Sequence, residues 1–110
     1  MVSYYDDGDL ERFSEVGETR PELFQKFMDW YGAATGDGAL SVREKALIAL
    51  AVAHTVQCPY CIDAWTTRSL ECGADLAQMT EAVHVAAAIK AGSCLIHGVQ
   101  MRSRHDSQSM

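Results

Sequence analysis

Residues Ala46 to Ala53 read Ala-Leu-Ile-Ala-Leu-Ala-Val-Ala, eight positions in a row with no polar face. Just before them, Ser41-Val42-Arg43-Glu44 has the form of a capping box, in which the serine hydroxyl accepts from the glutamate amide while the glutamate reaches back. The pair predicts a helix from Val42 to about Val56. A helix that is apolar all round must be covered on every side. In a chain of 110 residues a second subunit is expected to supply part of that cover.

The rest of the chain repeats the helical message. No stretch alternates β-branched with polar residues, and only two prolines occur. Leu10, Phe13 and Val16 predict a short first helix ending at Gly17. Pro21 suits a first helical position, and Leu23, Phe24, Phe27, Met28 and Tyr31 form a helical stripe that should stop in Gly36-Asp37-Gly38. Pro59 marks a helix running to Cys72, with Gly73 as its left-handed stop. Asp75 and Gln78 form a second capping box, opening a helix through Val83, Ala86, Ala87 and Ile89 to Gly92. A last helix is expected from Ser93 to about Met101. The predicted fold is all-α, a single-domain bundle of five or six helices spanning residues 1–110.

Composition excludes several function classes. Hydrophobic residues make up 48 % of the chain and charged residues 22 %, as in a globular protein. The net charge of -6 removes the electrostatic case for nucleic acid or an anionic membrane surface as a partner. Arg102 to His105 is a short basic cluster that reads as a solvated tail. The run Ala46 to Ala53 is far below the ~20 residues that span a bilayer. Met1 to Asp9 is polar and acidic rather than a secretory leader, so the expected setting is cytoplasmic and reducing.

In that setting the chemistry concentrates in Cys58-Pro59-Tyr60-Cys61. A CxxC pair can close a small disulfide ring and reopen it; the alternatives are a metal site and inert helix cysteines. Cys58 falls near the helix cap, where unpaired amides and the macrodipole favour negative charge, so it is expected to ionise readily. Cys61, one turn on, can attack an oxidised Cys58, or the reverse. His54, four residues before Cys58, would share its face if the helix stayed regular, and could take a thiol proton. The plainer role for His54 is at a helix end. His84 and His97 read as core or interface histidines. With His54, Cys58 and Cys61 they could complete a mixed zinc site, though no second CxxC supports it. Cys72 and Cys94 read as small buried hydrophobes. Tyr60 and Trp65 flank the thiols, as core residues or as walls of an apolar pocket.

Arg43 to Ala53, then Gln57-Cys58-Pro59-Tyr60-Cys61-Ile62-Asp63-Ala64, Glu71 to Asp75 and Glu81 to Ile89 resemble the carboxymuconolactone decarboxylase and alkylhydroperoxidase D-like family over about residues 40–101. From Tyr4-Tyr5-Asp6 onward the chain is similar to a branch labelled arsenosugar biosynthesis-associated peroxidase-like. The resemblance implies an all-helical fold assembling as trimers or hexamers, with peroxidatic and resolving thiols in the CxxC and no cofactor. It implies hydroperoxide or disulfide substrates and a dithiol reductant, a lipoyl-bearing protein in the alkylhydroperoxidase D enzymes. In those enzymes a glutamate twelve residues before the first cysteine and a histidine four after the second activate the second thiol. Those positions are Ala46 and Trp65 here, and neither can carry a proton. The thiols carry over, as Cys58 and Cys61; the relay does not.

Three readings follow. The first is a thiol-dependent peroxidase or disulfide oxidoreductase using Cys58, Cys61 and His54. The second is a vicinal-thiol module in which the same three residues hold a soft metal or trivalent arsenical. The third is a lactone decarboxylase-type lyase, against which the intact CxxC and the scatter of Arg43, Lys45, Arg68 and Lys90 argue.

Overall fold

The computed structural model describes residues 6–109. Tyr4 and Tyr5, on which the branch resemblance partly rests, lie outside them. A 3-10 helix over Leu10–Gly17 leads into α1 (Pro21–Thr35), α2 (Val42–Thr55), α3 (Pro59–Glu71) and α4 (Leu76–Gln108). Among the described residues there is no strand.

Both capping boxes form. Ser41 Oγ accepts from the Glu44 amide at 3.1 Å and Glu44 Oε1 accepts from the Ser41 amide at 2.9 Å. Asp75 Oδ1 accepts from the Gln78 amide at 2.8 Å, and Gln78 Oε1 returns the contact at 3.1 Å. Each satisfies amides that the first helical turn leaves unpaired.

The centre of the bundle is α2, which packs on both α3 and α4. Ala46, Leu50 and Ala53 are buried along one face of it. Leu50, Ala74 and Met79 form the core cluster, with Leu47 and Trp65 against it. The opposite face of α2 is uncovered within the chain, with Ile48 at 50 % and Val52 at 52 % exposure. The all-round apolar character of this helix is thus only half answered by its own fold.

One expectation needs correction. The break at Gly92 does not occur; α4 is one continuous helix of 33 residues, about 50 Å long. A glycine inside a helix costs only about 1 kcal/mol and ends it when the following residues supply a left-handed turn, which Ser93 to Ile96 do not. Its second half therefore projects from the bundle, and Leu95, Ile96, Val99 and Met101 are exposed. α4 also contains an 18-residue stretch long and apolar enough for a membrane span, with a mean hydropathy of 1.4. Its first half is nevertheless anchored on the bundle by buried Met79 and Ala86, and Lys90 Nζ donates to the Thr55 carbonyl at 3.0 Å, closing the end of α2.

Candidate active site

The thiols are positioned by the junction between α2 and α3. The Gln57 amide donates to the His54 carbonyl at 3.2 Å and the Cys58 amide to the Ala53 carbonyl at 3.1 Å. These are the two bonds of a Schellman closure, which needs a left-handed residue between them. Gln57 fills that place at φ 56°, where glycine is usual. Gly73, at φ 87°, does the same after α3, with its own amide donating to Leu70 and that of Ala74 to Ser69.

The closure turns the chain so that Cys58 becomes the N-cap of α3, with Pro59 in the first turn. Its Sγ accepts a hydrogen bond from the Cys61 amide at 3.2 Å, at the helix end where negative charge is favoured. Both cysteines are free thiols and half-buried. Burial, followed by a side-chain hydrogen bond to Cys58 and the charge of Cys58, pushes the Cys61 thiol up to about 11. The pair is therefore asymmetric: a cap-stabilised sulfur at 58 and a proton-holding one at 61.

Both thiols open into a cavity of about 790 Å³. Leu10, Phe13 and Val16 of the 3-10 helix, Phe27, Met28 and Tyr31 of α1, and Ala64 of α3 give it a mainly apolar lining. The polar edge is Asp9, Arg12 and Glu15. Arg12 Nε lies 2.8 Å from Glu15 Oε2, and its second nitrogen 3.1 Å from Oε1, so this cation is engaged by its neighbour. Tyr60 also lines the cavity, and its phenol donates to Asp9 Oδ2 at 2.7 Å, tying the 3-10 helix to α3. That bond, with burial behind it, raises the Tyr60 hydroxyl above the ordinary tyrosine range.

The far wall is held by aromatic contacts. Phe13 meets Phe24 edge-on at 5.3 Å and Phe27 at 6.2 Å, Phe27 meets Tyr31 at 5.5 Å, and Tyr31 meets Trp65 at 6.1 Å. Trp65 Nε1 donates to the Tyr31 hydroxyl oxygen at 2.9 Å. Gly17 makes the close approach of the 3-10 helix to α1 possible, since a Cβ there would sit 2.7 Å from Phe24 Cβ.

Of the residues singled out in the sequence, the structure brings Cys58, Cys61 and Tyr60 to one cavity wall. His54 is not on that wall: α2 ends at Thr55, the chain turns at Gln57, and the His54 ring engages the Leu50 carbonyl through Nδ1 at 2.8 Å. A carbonyl only accepts, so Nδ1 carries the proton. Trp65 lies behind Tyr31 and against the core rather than on the cavity surface. Ala46, at the position of the relay glutamate, is fully buried.

His84 and His97 are both exposed on α4, and His97 engages the Ser93 carbonyl at 2.7 Å. Among the described residues no group of three or more His, Cys, Asp or Glu is arranged to hold a metal ion. Cys72 is half-buried at the end of α3, but Cys94 is exposed, against expectation, because the uninterrupted α4 carries it beyond the bundle.

The sequence reading did not assign Asp9, Arg12 or Tyr31 to the site. The signal for Tyr31 was a hydroxyl within an otherwise apolar stripe. For Asp9 there was none, because its contact with Tyr60 spans 51 residues of chain, and Arg12 pairs locally with Glu15.

A family model described as the carboxymuconolactone decarboxylase family matches residues 21–100, which adds α1 to the region read from the sequence. A curated relative, an uncharacterized protein in the cox locus of Paracoccus denitrificans, is 48 % identical over 61 residues, 56 % of this chain. The match spans 55 % of that relative, so the chain covers about half the length of its curated relative. A crystal structure from Methanobacterium thermoautotrophicum superimposes with a TM-score of 0.73 at 33 % identity, covering 76 % of this chain and 94 % of its own. A carboxymuconolactone decarboxylase family protein from Legionella pneumophila, in its apo form, gives 0.68 at 30 % identity, covering 81 % and 80 %. These likenesses reach the family and the fold and do not extend to the arsenosugar-associated branch.

Proposed function

The chain belongs to the carboxymuconolactone decarboxylase family, and on that premise we propose that it is a thiol-dependent peroxidase acting on organic hydroperoxides through Cys58 and Cys61. The observation that carries the reading is the asymmetric thiol pair opening into a largely apolar cavity. The Cys58 thiolate, held at the end of α3 by the Cys61 amide, attacks the terminal peroxide oxygen. The O–O bond breaks, Cys58 becomes a sulfenic acid and an alkoxide leaves. The Cys61 sulfur then displaces hydroxide from Cys58, which leaves as water, and the disulfide closes. An external dithiol, oxidised in turn, returns the pair to thiols. This order reverses the one the resemblance implies, because the Cys58 sulfur accepts the Cys61 amide while burial raises the Cys61 thiol.

No proton is routed through His54, which faces the Leu50 carbonyl instead of the cavity. Lyase chemistry on a cyclic acid is disfavoured because the cavity's arginine is already engaged by Glu15. We further propose that the uncovered faces of α2 and of the projecting half of α4 are buried against other copies of the chain, as a trimer or hexamer. A reducing compartment such as the cytoplasm suits a pair that must be reset.

Hydroperoxide consumption with a dithiol reductant tests the reading. Cys58→Ser should abolish it and Cys61→Ser should stop turnover after one oxidation; unchanged activity in both variants ends the proposal. The missing relay at Ala46 and Trp65 favours one second reading, capture of a soft ion or trivalent arsenical by the vicinal thiols. Anaerobic titration with arsenite and zinc, showing tight binding in a protein that consumes no hydroperoxide, would select it.

A further inference from the structure

Peroxide cleavage by a thiolate releases an alkoxide, a base far too strong to leave unprotonated in an apolar cavity. A proton donor within the cavity is therefore needed. Trp65, at the position of the relay histidine, gives its indole N–H to the oxygen of Tyr31 at 2.9 Å. An indole nitrogen can only donate, so this bond uses one lone pair of the phenol oxygen and leaves the Tyr31 O–H hydrogen unspent. Tyr31 lines the same cavity as both thiols. Its ring is held between Phe27 and Trp65, which limits the positions the hydroxyl can take.

We propose that Tyr31 is the catalytic proton donor of this site, with Trp65 as the residue that positions it. The assignment rests on the thiol-peroxidase reading above. As the O–O bond of the hydroperoxide breaks, the Tyr31 hydroxyl gives its proton to the departing alkoxide, which leaves as an alcohol. The resulting phenolate is stabilised by the Trp65 N–H. It then takes the proton of the Cys61 thiol, and the Cys61 thiolate closes the disulfide on the sulfenic acid of Cys58. The hydroxide displaced there combines with the proton that Cys58 gave up to solvent at the start. Tyr31 is thus restored within one cycle, and the sum is two thiols and ROOH going to a disulfide, ROH and water.

The electrostatics agree with this order. Burial, and then the charges of Cys61 and Cys58, raise the Tyr31 hydroxyl above the ordinary tyrosine range against the opposing effect of Trp65, so it is a phenol at neutral pH. The Cys61 thiol is held up near 11, so a phenolate is a base of matching strength for it.

The test uses two oxidants that differ in leaving group. tert-Butyl hydroperoxide expels an alkoxide and needs a proton; peracetic acid expels a carboxylate and does not. Single-turnover oxidation of Cys58 is followed in the full-length wild type, in Tyr31→Phe, which keeps the ring packing, and in Trp65→Phe. The expected result is a fall of about 100-fold with tert-butyl hydroperoxide in Tyr31→Phe, the lower end of the usual range for a general acid. A smaller fall is expected in Trp65→Phe, and rates within about twofold of wild type with peracetic acid in both, on the same principle. Equal losses with both oxidants would mean a structural role and overturn the proposal, as would unchanged rates with both. A wild-type protein inert to either oxidant would overturn the peroxidase reading itself, and the proton donor with it.

Discussion

The asymmetry of the thiol pair predicts a difference in reactivity that can be worked out in advance. A rise of the Cys61 thiol from 9.0 to about 11 leaves about a hundredfold less thiolate at neutral pH. The thiolate that does form is more nucleophilic, by about eightfold for a Brønsted coefficient near 0.45. Cys61 should therefore react with iodoacetamide about tenfold more slowly than an ordinary accessible thiol. A short pulse at pH 7.5, quenched and mapped by fragment mass spectrometry, separates the two positions. Cys58→Ala removes both the hydrogen bond and the charge that help hold Cys61 protonated, so Cys61 should alkylate several-fold faster there, while burial, the largest cause, remains. Folding stability carries the same signature. The unfolded chain ionises this thiol near pH 9 and the folded chain only near 11, so stability should fall as pH rises through that window. Chemical denaturation at pH 8, 9, 10 and 11 should show the fall, and Cys61→Ala should flatten it. Cys61 alkylating as fast as Cys58 in the wild type, with no response to Cys58→Ala, would refute the reasoning.

Three further outcomes follow from the fold. Gly17→Ala places a Cβ 2.7 Å from Phe24 Cβ and should force the 3-10 helix off α1, at a cost of about 1–3 kcal/mol in urea denaturation; an unchanged midpoint would contradict the close packing. Gln57→Gly relieves a left-handed side-chain residue in the α2 closure and should stabilise the protein by up to about 1 kcal/mol, a loss of stability being the opposing result. Ile89→Asp and Ile96→Asp on the exposed face of α4 should dissociate the proposed oligomer in light scattering without unfolding the bundle; a wild-type chain that is monomeric would remove the reason for that face.

The bundle was readable because its signals are local. Each capping box lies within four residues, and Gly73 and Pro59 act on their own turns, so the ends of α2 and α3 could be placed from sequence. The boundary at Gly92 could not, since a glycine interrupts a helix only weakly and the expected break depended on what followed it. The cavity was half readable. Its thiol wall is one CxxC, whereas the opposite wall is the 3-10 helix and α1, brought there by Tyr60 reaching Asp9 and Trp65 reaching Tyr31. Contacts between residues 34 and 51 positions apart leave no periodic trace in a single sequence. His54 shows the reverse failure: the spacing to Cys58 suits a regular helix, but a Schellman closure at Gln57 intervenes, formed by a residue whose type does not announce it.

Cys58 and Cys61 are proposed to exchange electrons with a hydroperoxide as a unit. The direct measurement adds one equivalent of tert-butyl hydroperoxide to the fully reduced protein, alkylates the remaining thiols and locates every sulfur by mass spectrometry. The expected result is loss of two hydrogens, an intramolecular bond between Cys58 and Cys61, and alkylated Cys72 and Cys94. Four alkylated cysteines, or a disulfide that joins any other pair, would contradict it.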